Sequence, residues 1–363
     1  MRRIAATCAA LALGACAPNS APVASSAQDD SGLPKLRVPS ASEADRADGG
    51  PAPGTVLTRE DWTFAGRDGV VLTTPRYRVL TTLGPSVLRE RVPIFLERAL
   101  LHYTSAVVEL PMPQRPMESF VMANRTQWVE LTRRLVGPRA ALYERIQRGG
   151  YATQGRGVFF DIGEHDTLQI AGHEGWHQYT QATFGHRLPS WLEEGVACYM
   201  EGFRWHPTRR DVPVFLPWAN TERFDLLRRL ASRGQLSSLA EITGTTADER
   251  VRGPGSQTLA FYAQVWALVH FLAEGEGGVH RAAFEQILKD AADGTLFQTL
   301  QAELGRGEAG RAFLLHRGDA ILRAYLGRSA EQLDPAYQAF ISRITQPGSR
   351  NAIVAGRSPL RGP

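Results

Sequence analysis

Residues His173 to Gly195 read HEGWHQYTQATFGHRLPSWLEEG, and the rest of the chain is best read outward from them. The stretch sets His173 and His177 around Glu174, then brings Glu193 and Glu194 after a turn. On a helix, residues i and i+4 lie one above the other, about 5–6 Å apart at Cβ. His173 and His177 can therefore aim one ring nitrogen each at a single ion. Glu174 projects about 100° around the helix from His173. It can sit beside the water that a metal activates without binding the metal, which is where a general base is needed.

An HExxH pattern arises by chance in about one chain in a hundred of this size, so a third ligand has to be found. A histidine six residues beyond His177 would complete one arrangement, but that position is Thr183 and His186 comes later. The next helix offers a better answer. Gly185 can end the first helix and Pro189-Ser190 can start another. Ser190 and Glu193 form the pattern S-W-L-E, a capping box in which Glu193 reaches back to the Ser190 amide. That occupies Glu193 and leaves Glu194 to face the histidines across a short turn. Glu194 is thus the expected third ligand, with His173 and His177, of one zinc ion. Glu201 falls on the same helical face, where it either supports a ligand from behind or makes a surface salt bridge.

HEGWHQYT (173–180) followed by LPSWLEEGVACYMEG (188–202) resembles the gluzincin clan of zinc metallopeptidases, whose second motif has the form WLxEG-x-A-x-Y-x-E. The resemblance implies a gluzincin-like fold, with His173, His177 and Glu194 as ligands and Glu174 as base. It is closest to a bacterial branch that is often secreted or lipid-anchored, with a strand-rich lead-in like RYRVLTT and a helix like YAQVWALVHFL. The strong match covers residues 173–202, and a weaker one runs from about 58 to 290. Two features depart from the clan. There is no G-x-M-E-N segment upstream, so recognition of a substrate N-terminal amine is not implied. Cys198 stands one turn after Glu194, where thermolysin-like members carry an acidic residue. Members usually supply a downstream tyrosine or histidine to stabilise the oxyanion, and Tyr262 is the candidate here. Its helix, QTLAFYAQVWALVHFL, is apolar on nearly every side, so a core tyrosine is the competing reading. On the same helix His270 reads as a core histidine, while His165 and His186 read as surface residues and Cys198 as a small buried hydrophobe.

Further out, the chain alternates strand and helix signals before this stretch and shows only helix signals after it. VVLTT (70–74), YRVLTT (77–82), ESFVMAN (118–124) and GVFFDIG (157–163) read as strands. Helical patterns run over about 85–109 and onward from Arg125, and GGYATQG (149–155) reads as a loop. Helices are expected at about 166–184, 190–202, 219–232, 257–274, 279–290 and 309–327. This makes an α+β protein: a mixed subdomain over 57–204, a helical one over 205–345, a loose tail over 346–363, and the zinc site at the junction.

The N-terminus sets the compartment. MRR precedes the short apolar run IAATCAALALGA, as in a secretory signal. The run ends LGAC, which resembles the lipobox of bacterial lipoproteins, so residues 1–16 read as a signal whose Cys16 is acylated. Residues 17–56 are rich in Ala, Ser, Pro, Asp and Gly and read as a disordered tether. Loss of Cys8 with the signal leaves Cys198 as the remaining thiol, so no internal disulfide is expected. The net charge of +4 comes from scattered arginines, which points away from nucleic acid. The expected protein is a zinc metallopeptidase held by lipid in the bacterial cell envelope, on the periplasmic face of the outer membrane. It would act on a peptide or protein substrate, and the sequence sets no oligomeric state. Two alternatives are open: a non-catalytic envelope binding protein on the same fold, and a hydrolase of cell-wall peptide cross-links.

Overall fold

The computed structural model describes residues 51–246, Glu249 and 255–360. Cys16, the signal segment and most of the expected tether lie outside the described residues. The first half builds a sheet from β1 (Thr58–Phe64), β2 (Arg67–Thr73), β3 (Tyr77–Thr81), β4 (Met117–Met122), β5 (Gly150–Thr153) and β6 (Arg156–Phe160). The spatial order is β1-β2-β3-β4-β6-β5, with β3, β4 and β6 parallel and the remaining pairs antiparallel. Helix α1 (Val87–Tyr103) crosses from β3 to β4, and α2 (Arg125–Val136) with the short α3 (Ala140–Tyr143) follows β4. Helix α4 (Glu164–Thr183), which carries the two histidines, follows β6.

Successive side chains of a strand point to opposite faces, and this splits the core in two. Tyr77, Val79, Val121 and Phe159 pack on the face shared with α1 and α4. Leu80, Phe120, Met122, Val158 and Phe160 pack on the other, against Trp128 and Leu131 of α2. The Trp128 indole N–H donates to the Val158 carbonyl at 3.1 Å, so a buried polar group is satisfied as the helix seats.

Helix α5 (Ser190–Met200) carries the two glutamates, and a hairpin of β7 (Phe203–Trp205) and β8 (Pro213–Phe215) follows. The remainder is helical: α6 (Thr221–Ser232), α7 (Leu239–Thr243), α8 (Gly255–Glu274), α9 (Arg281–Asp293), α10 (Leu296–Leu304), α11 (Arg306–Leu315), α12 (Ala320–Leu326), α13 (Ala330–Ile344) and α14 (Ser349–Val354). Residues 261–273 of α8 are all buried, as an all-round apolar helix must be, and α5, α6, α7, α9 and α13 pack against it. Among the described residues no helix is long and apolar enough to cross a membrane.

The α+β class expected from the sequence is observed, with several local differences. The strand β1 pairs along its whole length with β2, although the sequence signal begins only at residue 70. GGYATQG is not a loop: Gly150–Thr153 is the edge strand β5, paired with β6. A Cβ on Gly150 would lie 2.5 Å from Phe159 Cδ1, so glycine is needed there for the strands to meet. The expected helix over 309–327 is broken at His316, which is left-handed at φ 48° and ends α11. The stretch from Gln346 is not loose through residue 360. It holds α14, with Ile353 fully buried and Arg350 paired to Asp225 at 3.0 Å.

Candidate metal centre

The turn between α4 and α5 is fixed by backbone bonds to the helical half. The Gly185 and His186 N–H groups donate to the Ala292 and Ala291 carbonyls at 3.0 and 2.9 Å. The Ser190 N–H donates to the His316 carbonyl at 2.8 Å, and the Trp191 indole to the Gly318 carbonyl at 3.1 Å. Two glycines set how closely the ligand helices can seat. A Cβ on Gly195 would lie 2.8 Å from both the Val265 carbonyl oxygen and Val269 Cγ2 of α8. A Cβ on Gly175 would lie 2.5 Å from the Tyr103 hydroxyl, which donates to the Gly172 carbonyl at 2.8 Å.

With the helices so placed, His173, His177 and Glu194 converge. Glu194 Oε2 lies 3.3 Å from His173 Nε2 and 3.4 Å from His177 Nε2. Each histidine is held from behind by its own carboxylate. His173 Nδ1 lies 2.7 Å from Glu201 Oε2, and His177 Nδ1 lies 3.0 Å from Glu193 Oε1. Both outer nitrogens are thereby engaged, and both Nε2 atoms face the common centre. Glu201 is fixed in turn by Arg223, whose Nε donates to Oε1 at 3.0 Å, and by Asn220, whose amide donates at 2.6 Å. Glu193 Oε1 also accepts from Thr180 Oγ1 at 2.8 Å.

This corrects the expected capping box. Helix α5 begins after Pro189, which has no side-chain cap, and Glu193 turns away from the helix start to reach α4. Proline at this position sets the backbone direction, and the buried imidazole of His177 is a stronger attractor for a carboxylate than an amide near solvent. Glu201 is not a surface residue: it is 1% exposed and touches His173. Sequence reasoning missed Arg223 and Asn220, which reach the site from the N-terminal end of α6, a helix that packs on α8.

Glu174, His173, His177 and Glu194 are 2%, 4%, 4% and 3% exposed. Three carboxylates (Glu174, Glu194 and Glu201) are thus buried beside one buried guanidinium, that of Arg223. Buried charges must be paired or must coordinate a metal; here Arg223 pairs with Glu201, and Glu194 lies between the two histidines. Two polar atoms, Glu174 Oε2 and His177 Nε2, are buried without a hydrogen-bond partner. The donor set and the orphaned atoms both fit a cation at the convergence point.

Electrostatics separate Glu174 from Glu194. Burial pushes the Glu174 carboxyl up to about 7, against the pull of His177 and His173. For Glu194 burial acts the same way, but His177 and His173 outweigh it and hold the carboxyl down at about 2. Glu201 is likewise held at about 2, by Arg223 and then His173 against burial. Burial opposes charge on His177, yet Glu194 and Glu193 hold it up to about 10.

Tyr262 of α8 is 1% exposed, with its ring edge-on to His173 at a centroid separation of 5.9 Å. Burial raises its hydroxyl well above the ordinary range, with Glu194 adding to the effect, so it stays protonated. Cys198 is fully buried with Sγ 3.9 Å from His173 Nδ1. His270 is buried and stacked on Trp218 at 3.6 Å, away from the convergence point. His165 is exposed, and His186 is half-buried and accepts from the Phe297 N–H at 3.4 Å.

Fold and site together describe an α+β protein with a buried His₂Glu cluster able to hold a metal ion. Residues 168–294 match a family model described as Protein of unknown function (DUF1570). That span includes the three converging residues, Glu174, Glu193, Glu201, Arg223 and Tyr262. No curated protein and no solved structure matches the chain.

Proposed function

We propose that the protein is a zinc metallopeptidase of gluzincin type, anchored by lipid in the cell envelope and cleaving peptide bonds. The observation that carries this reading is the pair of separations at the centre. Zinc sits about 2.0–2.1 Å from nitrogen and oxygen ligands, and tetrahedral geometry then spaces the ligand atoms about 3.3–3.4 Å apart. The Glu194 to His173 and His177 separations are 3.3 and 3.4 Å. The set of two histidines and one glutamate is also that of catalytic rather than closed structural zinc sites.

When bound, the ion supplies Lewis acidity and lowers the pKa of water. The protein's own groups do the rest. Glu174, buried within electrostatic reach of His173, His177 and Glu194, would accept the proton of a water held there and pass it to the leaving amine. Tyr262, kept protonated, donates a hydrogen bond to the developing oxyanion. Glu201 and Glu193 fix the histidine rings, and Arg223 keeps Glu201 ionised.

The near-complete burial of all four central residues favours a second reading, a non-catalytic envelope protein that retains the metal for stability. Glu174→Gln separates the two. For an enzyme, the variant keeps zinc at wild-type stoichiometry and loses peptide hydrolysis by about 10²–10⁴-fold, the usual share of general-base help. For a non-catalytic protein, wild type and variant are equally inert towards a broad peptide library. A variant that loses zinc overturns the role given to Glu174.

A further inference from the structure

The C-terminal end of α11 carries apolar side chains where solvent should be. Leu314 is 80% exposed and the adjacent Leu315 is 47% exposed. Single exposed apolar residues are ordinary, but these two are neighbours and sit beside an open crevice. Their flanking residues Phe313 and His316 line that crevice, whose volume is about 290 Å³ including its open mouth. Its floor is apolar, with Leu300 and Ile321 beside Phe313. Every charged or titratable residue lining it is basic: Arg187, His316 and Arg317, the last paired with Glu249 at 2.7 Å. Arg311, exposed on α11, precedes Leu314 and Leu315 by three and four residues and so shares their face.

We infer that this corner docks on the surface of a bilayer containing anionic phospholipid. Leucines at the tip of a helix with arginines around them match the chemistry of an interfacial segment, the apolar side chains entering the acyl boundary and the cations meeting headgroup phosphates. The charge pattern argues against a second copy as the occupant, since a self-facing contact would oppose arginine to arginine. The inference is independent of what the metal centre does.

The test uses the full chain with Cys8→Ser, Cys16→Ser and Leu314→Cys, labelled at position 314 with a polarity-sensitive fluorophore; Cys198 is fully buried. Removing Cys16 makes the result independent of the anchor. The emission is expected to shift to the blue with vesicles of phosphatidylcholine and phosphatidylglycerol, and not with phosphatidylcholine alone. A label at Val354→Cys, on α14, should stay unshifted with both, and Leu315→Glu should abolish the shift at 314. No shift with the anionic vesicles overturns the inference, as does an equal shift with phosphatidylcholine alone. A shift without vesicles that grows with protein concentration overturns it too, and identifies a second copy as the occupant.

Discussion

Glu193 Oε1 lies 3.0 Å from His177 Nδ1, and this contact sets the tautomer of a candidate ligand. The donor of the pair is the ring Nδ1–H, which leaves Nε2 turned towards Glu194 and the convergence point. Glu201 does the same for His173, but with Arg223 and Asn220 fixing it. The two carboxylates that hold the histidines therefore differ in support: Glu201 is 1% exposed at its side chain and Glu193 is 16% exposed.

Glu193→Ala should weaken zinc binding by about 10–100-fold, the usual effect of removing a partner behind a ligand histidine. Glu194→Ala should do more, leaving two protein ligands and a protein purified with little zinc. Titration against a competing chelator measures both. Full zinc affinity in Glu193→Ala would mean that the contact to His177 is incidental.

The stability of the fold should fall in mild acid because of His270. Burial lowers its pKa to about 3, opposed slightly by the Pro217 backbone. An unfolded histidine titrates near about 6.5. Between those values the unfolded chain takes up a proton that the folded chain refuses, so stability declines as pH drops through that window. The decline from this residue is about 1.4 kcal/mol per pH unit at most. His270→Phe should flatten the curve between about pH 6.5 and 4.5, as read from urea midpoints. An unchanged slope would place the acid sensitivity elsewhere.

If the proposed lipid anchor is correct, Cys16→Ser should move the protein from the membrane to the soluble periplasmic fraction, because LGAC then lacks the thiol that the anchor would need. A variant that still sediments with membrane after a high-salt wash would show that the thiol is not the anchor.

The centre was more legible than its surroundings. HExxH works as a sequence signal because four residues make one helical turn, and Glu194 could be found because only a short turn separates its helix from theirs. Glu193 was misread because S-W-L-E is a local pattern, whereas its actual partner lies on the preceding helix. Nothing local marks Arg223, which comes from α6. In the sheet, alternation revealed β2, β3, β4 and β6, each buried on both faces or on one. β5 was hidden by Gly150, and β7 and β8 by having three residues each, one of them Pro213.

Gly195→Ala should lower stability by about 1–3 kcal/mol, as overpacking does, and should weaken zinc binding as well. Differential scanning and the same chelator titration would read the two effects. A variant with wild-type values for both would show that α8 yields easily at this contact.

Gly175 and Gly195 follow directly after Glu174 and Glu194, and both lie where an added methyl group would meet a neighbour closer than 3 Å. Elsewhere on a helix, glycine to alanine is a gain of roughly 1 kcal/mol. Here the same change would shift Glu174 or Glu194 without altering either side chain. The vulnerability of the site to random substitution is therefore wider than its functional residues. Variation that drifts freely on other helices is closed at these two positions, and a screen for lost activity should return them beside the histidines.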